Sequence, residues 1–353
     1  VYTGLARKLG LIDKKYKAWG GPHPQVIDLS HIHHKLHAAC AFYRSGFEEA
    51  VAVIIDGAGT FIPLQANGET TTGWETESIY TCSYPANFKT IYKHIGMRGP
   101  SAGTHLSDFP GDIYDEPGTT HEAFITDRAG ITKVYEAVTR YCGWDCIEAG
   151  KTMGLFPYGK ECNEFPSLFD SDMIMPATNR NIVIPTYPNG AVINIGVYPY
   201  LNSHDNDDVT YLENRRNLAY ACQTQTQEQA LRVIRAAVEK TGIKKVVLSG
   251  GYGLNCVANY WYLQFLKEEG IELYVEPISN DAGTAIGAAI MFYKGLVSNS
   301  KVDYTKDRLY LGLEYNYTAD DLKAASSPLG TGGVATNYIE ATAAQVGSQT
   351  VGI

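Results

Sequence analysis

The stretch HHKLHAACAFYRSGFEEAVAVIIDGAGT, residues 33–60, places potential metal ligands close to a glycine-rich turn. His33 and His37 are four residues apart, so on a helix their side chains project from one face and can bind a single ion. The apolar run at residues 51–55 predicts a buried strand, and Asp56 follows it with a hard oxygen ligand. Because imidazole selects transition metals and a carboxylate completes the shell, the segment predicts a divalent metal site beside a phosphate-type turn.

The same segment has a second interpretation, in which the histidines belong to an ordinary helix surface. It also differs from the helical zinc pattern of metalloproteases, in which Glu directly follows the first His. Here His34 follows His33 and Lys35 follows His34, so the base of that reaction is absent. The residues of this segment alone leave the metal site and the helix surface as alternatives.

Composition limits the function classes. The chain has 353 residues and 44% hydrophobic residues, enough for two lobes around a large buried core. Its formal net charge of -9 argues against bulk binding to nucleic acid or to an anionic membrane, because both use basic surfaces. The sequence contains no run of about 18 apolar residues, so it predicts no membrane span. The seven cysteines form no CxxC pair, so we expect reduced, mostly buried thiols and a cytoplasmic protein.

Two further apolar runs, at residues 246–248 and 273–275, predict buried strands that also lead to glycine-rich turns. Glycine lets backbone N–H groups approach phosphate oxygens closely, and a helix that starts at such a turn points its positive end at it. We expect these helices at residues 256–269 and 284–293. The glycines that we assign to nucleotide binding on this basis are Gly57, Gly59, Gly250, Gly251 and Gly283.

The remaining pattern is less regular. Apolar spacing predicts helices at residues 131–141 and 226–240, and the chain opens with a helical pattern at residues 2–11. Residues 96–128 are rich in Gly, Pro, Asp and Thr without clear periodicity, which predicts a surface excursion. Residues 170–215 contain short β-rich pieces, which predict a meander at an edge.

Four separated motifs occur in one order along the chain. They are HHKLHAACAFYRSGFEEAVAVIIDGAGT (33–60), GKTMGLFPYGK (150–160), VVLSGGYGLNCVAN (246–259) and EPISNDAGTAIGAA (276–289). Together they closely resemble the O-carbamoyltransferase family, whose members carbamoylate nodulation factors, cephalosporins and aminoglycosides. The resemblance extends from about residue 25 to residue 353, with the excursion at 96–128 outside it.

The resemblance implies an α/β, two-lobed actin-like fold, shared with sugar kinases and heat-shock ATPases, with nucleotide in the cleft. On this basis we expect residues 1–130 to be the remainder of a first lobe with an insertion at 96–128. Residues 131–315 would form the second lobe with the nucleotide-binding turns, and residues 316–353 a linker and the start of a truncated C-terminal domain. The family's first strand and its GPRALGNRSI-like segment do not occur here, so we expect an incomplete N-terminus and an isolated chain that is inactive with carbamoyl phosphate and ATP.

The resemblance also implies a bound metal of iron type, with Zn²⁺ or Mn²⁺ as alternatives. Its ligands would be the residues that match the family's metal-binding positions, namely His33, His37, Asp56 and Asp281. Three of these agree with the ligands expected from spacing alone. Asp281 is added by the resemblance, because its turn is far away in the sequence.

Nucleotide contacts are implied in the same way. Asn255 can offer a donor and an acceptor to an adenine edge, with a helix cap as the alternative role. Glu148 and Lys151 match the family's cleft-lining EGKVMGLAPYG segment, in which Lys151 would offset phosphate charge as a catalytic residue. Asn280 stands where many members have Gly and is also assigned to the nucleotide. For the general base that activates the acceptor hydroxyl, the adjacent candidates are His34 and His31.

We therefore predict transfer of a carbamoyl group from carbamoyl adenylate, made from carbamoyl phosphate and ATP, to a hydroxyl of a small-molecule acceptor. The rival functions are an ATPase or sugar kinase of the same fold and a non-catalytic nucleotide-binding module. Kinases of this kind use carboxylates with magnesium, so the histidine pair favours carbamoyl transfer over phosphoryl transfer. A homodimer is left open, and neither nucleic acid nor membrane is an expected partner.

Overall fold

The computed structural model describes residue 8 and residues 29–66, 69–97, 103–112, 115, 117–170, 182–196, 201 and 208–297. They form a mixed α/β structure around an eight-stranded sheet, so the predicted α/β class of the actin-like fold is confirmed. The predicted linker and C-terminal segment at 316–353, and nearly all of the predicted helix at 2–11, lie outside the described residues.

One α-helix precedes six consecutive strands, and the remaining helices and strands are interspersed after them. The strands are β1 (Glu49–Ile55), β2 (Phe61–Ala66), β3 (Glu69–Ser83), β4 (Asn87–Met97), β5 (Thr104–Pro110), β6 (Thr120–Thr126), β7 (Val183–Pro185), β8 (Ala191–Ile193), β9 (Lys245–Ser249) and β10 (Glu272–Val275). The α-helices of the described residues are α1 (His33–Ser45), α2 (Ile131–Tyr141), α3 (Ala149–Leu155), α4 (Val209–Thr241), α5 (Cys256–Leu266) and α6 (Ala282–Val297).

The main sheet has the strand order β10-β9-β1-β3-β4-β6-β5, and β2 pairs with the N-terminal part of β3. Strands β1, β9 and β10 run parallel, whereas β3 is antiparallel to both β1 and β4. The carboxyl ends of β1 and β9 therefore lie side by side. This edge brings together the turns that follow the two strands, which is where ligands bind in open α/β sheets.

Both faces of β1 are covered, as its continuous apolar sequence predicts. Val51, Val53 and Ile55 face a core cluster that includes residues of α2 and α4. Ala52 and Ile54 face a second cluster built mainly on α1. The helix that carries the histidines thus lies on one side of the sheet, and α2 and α4 lie on the other. No helix among the described residues is long and apolar enough to span a bilayer.

The predicted boundary at residues 130/131 does not divide the described residues. Strand β1 lies before that boundary and β9 after it, yet Val51 pairs with Val246 in one sheet. The described residues on both sides of the boundary belong to one compact unit. A parallel pair needs a long crossover connection, so its strands are necessarily distant in sequence, and spacing alone does not show which strands pair.

The excursion predicted at residues 96–128 contains regular structure, which corrects that prediction. Strand β6 extends the sheet in parallel with β4, and β5 forms the antiparallel edge. The edge strand is largely exposed and has no buried face along its length. Its Thr- and Asp-containing sequence therefore lacks the alternation that would have identified a strand.

Helix α4 is much longer than the predicted segment at 226–240. It begins at Val209, where Asp208 accepts a hydrogen bond from the Thr210 N–H, and so replaces the β-rich structure that we expected as far as residue 215. The charged run at residues 213–216 hides the apolar spacing of its first half. The predictions for α2, α5 and α6 are confirmed, and the β-rich segment contains the short strands β7 and β8, which pair with each other.

Candidate metal centre and nucleotide cleft

The first turn of α1 presents two imidazoles to one point. His33 and His37 lie on one face of the helix, and their Nε2 atoms are 3.2 Å apart. The backbone N–H of His33 donates to Thr60 Oγ1 at 2.9 Å, which satisfies a donor that the helix start leaves unpaired. On its inner side, His37 Nδ1 lies 3.4 Å from Ser249 Oγ at the end of β9. The helix start thus fixes both rings beside the carboxyl ends of β1 and β9.

Asp56 follows β1 directly and reaches the same point. Its backbone N–H donates to the carbonyl of Thr76 at 2.8 Å, and its Oδ1 accepts from the Gly251 N–H at 3.2 Å. Its other oxygen, Oδ2, lies 3.3 Å from His33 Nε2 and 3.8 Å from His37 Nε2. One carboxylate oxygen is therefore fixed by the backbone while the other faces the two rings.

Asp281 arrives from the turn between β10 and α6. Its Oδ1 lies 3.5 Å from His33 Nε2 and 3.8 Å from His37 Nε2, although its side chain is 80% exposed. The turn is anchored by the buried Glu276, whose carboxylate accepts from Arg44 at 3.0 Å and from the Ile278 N–H at 2.9 Å. Since Arg44 lies in the last turn of α1, this ion pair fixes the Asp281 turn to the helix that carries the histidines.

All four predicted metal ligands are brought together. The ligand atoms of His33, His37, Asp56 and Asp281, here called the ligand cluster, lie within 4.8 Å of one another. This spacing suits an ion that binds nitrogen and oxygen at about 2.0–2.2 Å. Two imidazoles with two carboxylates favour borderline first-row transition metals over magnesium or calcium. Among the residues that the structure describes, no other group of three or more metal-binding side chains converges in this way.

The electrostatics of the ligand cluster favour a bound cation. Burial lowers the pKa of His33, but hydrogen bonds and negative charges from Asp281 and Asp56 outweigh it and raise that pKa to about 10. Burial lowers the pKa of His37 to about 4, so this ring is neutral and available as a ligand. Burial acts to raise the pKa of Asp56, but the histidines hold it well below its usual range. A metal would replace the proton on His33.

His34 does not belong to the ligand cluster, and its predicted role as general base is not supported by its position. The side chain is fully buried, and its Nδ1 lies 2.7 Å from Ser78 Oγ. Gly59 packs against this ring so closely that a Cβ atom there would lie 2.4 Å from it. Neither residue lines the cavity described next. His34 is therefore buried outside the cavity wall, and Gly59, for which we predicted a phosphate contact, packs against its ring.

A cavity of about 950 Å³ opens beside the ligand cluster. Its walls include Asp56 and Asp281 and four of the predicted nucleotide-binding residues. These four are Gly57, Gly251, Asn255 and Asn280. Gly251 and the two carboxylates of the ligand cluster thus border one space, which is large enough for a nucleotide-sized ligand.

The other predicted nucleotide contacts lie outside the cavity wall. Gly250 has a φ of 90° and packs on the carbonyl of Ile55, so this position needs a residue without a side chain. Gly283 lies in the first turn of α6, where its N–H donates to the Asn280 carbonyl at 2.9 Å. Lys151 is about half exposed and pairs with Glu148 at the surface. Its neighbours Ala149 and Gly150 line the cavity instead.

Asn255 lies in the wall, but its amide is already paired. Its Oδ1 accepts from the Ala258 N–H at 3.1 Å and thereby caps α5. Gln223 exchanges two hydrogen bonds with the same amide, at 3.0 and 3.1 Å. The helix cap that we gave as the alternative role is therefore present in the structure, and an adenine edge would have to compete with Gln223.

Sequence reasoning missed the polar residues of α2 in the wall. Lys133 is buried, and its Nζ contacts Glu136 Oε2 and the carbonyl of Pro188, each at 2.9 Å. Glu136 Oε1 approaches Gly57 so closely that a Cβ atom there would lie 2.6 Å from it. The apolar periodicity of α2 identified the helix, but it gave no signal that the first turn faces the end of β1.

The family model described as "Carbamoyltransferase N-terminus" matches residues 23–290, a range that contains the whole ligand cluster. An uncharacterized protein of Synechocystis is 27% identical over 290 residues, which cover 79% of this chain and 39% of that protein. Nodulation protein NolNO of Sinorhizobium fredii is 27% identical over 267 residues, which cover 73% of this chain and 30% of that protein.

A crystal structure of full-length HypF in a phosphate- and nucleotide-bound form aligns with a TM-score of 0.44 and 15% identity, covering 79% of this chain and 44% of HypF. The chain spans less than half the length of each of these proteins.

Proposed function

The chain belongs to the carbamoyltransferase N-terminus family, and on this premise we propose that it transfers a carbamoyl group from carbamoyl adenylate to a hydroxyl of a small-molecule acceptor. The observation that carries the proposal is the meeting of a transition-metal ligand set with a nucleotide-sized cavity at one edge of the sheet. Asp56 belongs to both, because it is a ligand and a wall residue. ATP, carbamoyl phosphate and the acceptor are proposed substrates of the whole protein.

The ligand cluster is the proposed holder of a divalent first-row ion, with Fe²⁺ first and Zn²⁺ or Mn²⁺ as alternatives. Its donor set fits such an ion, and the paired carboxylates supply the negative charge that a cation balances. When bound, the ion would supply positive charge beside the phosphate of carbamoyl adenylate.

The chain's own groups have separate tasks in this proposal. Gly251 and the short turn that it opens border the cavity at the edge where β9 ends, and the Gly251 N–H holds Asp56 Oδ1 in place. Glu136 is a wall carboxylate that can accept a hydrogen bond from a ribose or acceptor hydroxyl, and Lys133 fixes its other oxygen. Together these groups orient the adenylate with its carbonyl carbon toward the acceptor.

In the proposed transfer, the acceptor oxygen forms a bond to the carbamoyl carbon as the bond from that carbon to the phosphate oxygen breaks. The products are the carbamoylated acceptor and AMP, and the hydroxyl proton leaves to a base. Preorganised charge at the leaving phosphate lowers the barrier, because AMP departs as an anion. His34 is too buried for the role of base, so we assign that role to Glu136, the wall carboxylate that lies outside the ligand cluster.

The proposal is tested by supplying carbamoyl adenylate to the metal-loaded chain together with a set of hydroxyl compounds. Mass spectrometry should find one acceptor that gains a single carbamoyl group, with release of an equal amount of AMP. The variant Glu136→Gln should bind nucleotide with reduced turnover. Gain of a phosphoryl group from ATP would instead support a kinase. Tight nucleotide binding without any transferred group would support a binding module, and either result would overturn the proposal.

A further inference from the structure

Lys35 lies on α1 between the two ligand histidines and points away from the cavity. Its side chain is only 3% exposed, and its Nζ donates to Asp115 at 2.5 Å and lies 3.5 Å from Asp112. Both aspartates lie between β5 and β6, within the segment that we had predicted to be a surface excursion. The inserted segment is therefore tied to the ligand helix by a buried ion pair.

A second buried lysine continues this contact toward the ligand cluster. Lys93 on β4 donates to Asp112 and, at 2.5 Å, to Glu75 on β3. Glu75 is fully buried, and its other oxygen accepts from the Thr60 N–H at 3.0 Å. We call the set of Lys35, Lys93, Glu75, Asp112 and Asp115 the ion network.

The network ends on the first turn of α1. Thr60, which Glu75 holds through its backbone N–H, accepts the His33 N–H through its side-chain oxygen at 2.9 Å. The first turn of α1 is therefore held at two residues: Thr60 contacts His33, and Asp115 contacts Lys35. A displacement of either contact would move the His33 and His37 rings relative to Asp56, which is fixed independently by β1 and Gly251.

We propose that Asp115 and Lys35 are positioning residues of the metal site, through which the segment between β5 and β6 sets the position of the ligand helix. This inference rests on the proposed metal function of the ligand cluster. Each of the three carboxylates in the network contacts at least one of its two ammonium groups, and these mutual contacts fix the geometry. Groups that orient metal ligands from behind tune affinity without touching the metal.

The test is a titration of the metal-free full chain with Co²⁺, followed by visible absorption. Lys35→Met and Asp115→Asn should each weaken Co²⁺ binding roughly 10- to 100-fold, the usual effect of losing such a supporting contact. The double variant should bind Co²⁺ no more weakly than the weaker-binding single variant, because both substitutions remove the same contact. At saturating Co²⁺ the absorption bands should also shift, which a loss of stability alone would not produce.

Controls separate positioning from folding. Lys240→Met breaks a comparable ion pair with Glu122 at the surface and should leave the Co²⁺ titration unchanged. Lys35→Arg keeps the positive charge but changes the shape of the side chain, and it should bind Co²⁺ with intermediate affinity. This variant provides the test if Lys35→Met does not fold. Unchanged affinity and spectra in Lys35→Arg and Asp115→Asn would overturn the positioning role alone. Failure of the parent chain to bind Co²⁺ would overturn the proposed metal site itself.

Discussion

Helix α1 separates two polar clusters that differ in how their charges are balanced. The ligand cluster contains two carboxylates and two imidazoles, with no lysine or arginine among its members. The ion network on the other side of the helix pairs its carboxylates with two buried lysines. Both clusters lie at the same helix turn and both include buried residues, so burial alone does not distinguish a ligand-binding site from a structural one.

The two clusters differ in the source of the positive charge beside their carboxylates. The ion network supplies its own cations, and its oxygens accept hydrogen bonds from Lys93, Lys35 and neighbouring backbone groups. In the ligand cluster, only a proton on His33 balances the carboxylates, which is why the pKa of that ring rises to about 10 despite burial. Carboxylates whose only nearby positive charge is a proton on an imidazole are suited to a metal, which can replace that proton, whereas carboxylates that each contact a lysine are suited to holding elements together.

The largest expected effect is the loss of metal from His37→Ala. Removing one of two nitrogen ligands leaves a set that no longer favours a first-row transition ion. Protein purified without chelator should contain roughly one equivalent of such a metal, and the variant should retain only a small part of it. Elemental analysis measures both. His105→Ala, an exposed histidine outside the cluster, is the matched control, and equal metal in both variants would refute the assignment.

The ion network should instead affect stability. Glu75→Gln leaves the buried Lys93 with one carboxylate fewer and should lower the free energy of unfolding by about 3–5 kcal/mol at neutral pH. Burial acts to raise the pKa of Glu75, but Lys93 outweighs it and lowers that pKa from 4.5 to about 2. The contribution of this carboxylate is therefore complete above about pH 4.5 and lost as the pH falls toward 2.

Urea unfolding of the parent chain and Glu75→Gln at several pH values checks this prediction. The difference between the two proteins should narrow as the pH falls below about 4.5. A constant difference down to about pH 3 would show that the charge of Glu75 is not what stabilises the network.

A smaller effect is expected from Gly251→Val. A Cβ atom at Gly251 would lie 3.2 Å from Asp56 Oδ1, and the added side chain would enter the cavity. Overpacking of this kind costs about 1–3 kcal/mol, so the affinity for AMP measured by calorimetry should fall roughly 10- to 100-fold. Gly154→Val, on α3 with open space around it, should bind AMP as the parent chain does. Equal AMP affinity in the two variants would remove Gly251 from the nucleotide site.

The smallest effect is expected at the surface. Arg235 and Glu269 form an exposed ion pair between α4 and the turn after α5. Glu269→Gln should change the free energy of unfolding by less than about 1 kcal/mol, because exposed pairs are screened by solvent. Urea unfolding of Glu269→Gln and Glu75→Gln under the same conditions compares their losses of stability directly. If the surface variant lost as much stability as the buried one, burial would not explain the strength of the ion network.

Local spacing was sufficient to predict part of the site. His33 and His37 follow from the helical repeat, and Asp56 follows from its position after an apolar strand. Asp281 required the family resemblance, since its contact depends on the parallel pairing of β1, β9 and β10 across distant parts of the chain. Gly59 packs against His34 outside the cavity wall, because a glycine after a strand can serve a side-chain packing contact as well as a phosphate.

The ion network could not be predicted from the sequence. Lys35 and Asp115 are 80 residues apart, and nothing in their local sequence distinguishes them from surface charges. The contact exists because β6 joins the sheet beside β4 and brings the preceding residues over α1. Charge pairing across a sheet depends on strand order, whereas the histidine pair depends only on the helix on which both residues lie.

The most direct test of the central claim is anomalous diffraction from crystals of the chain grown with Co²⁺ or Fe²⁺. We predict a single strong peak among His33, His37, Asp56 and Asp281, at about 2.0–2.2 Å from the nearest nitrogen and oxygen atoms. The ion network should show no peak, since each of its carboxylates already contacts a lysine. An ion bound elsewhere, with His33 still hydrogen-bonded to Asp56 and Asp281, would contradict the account.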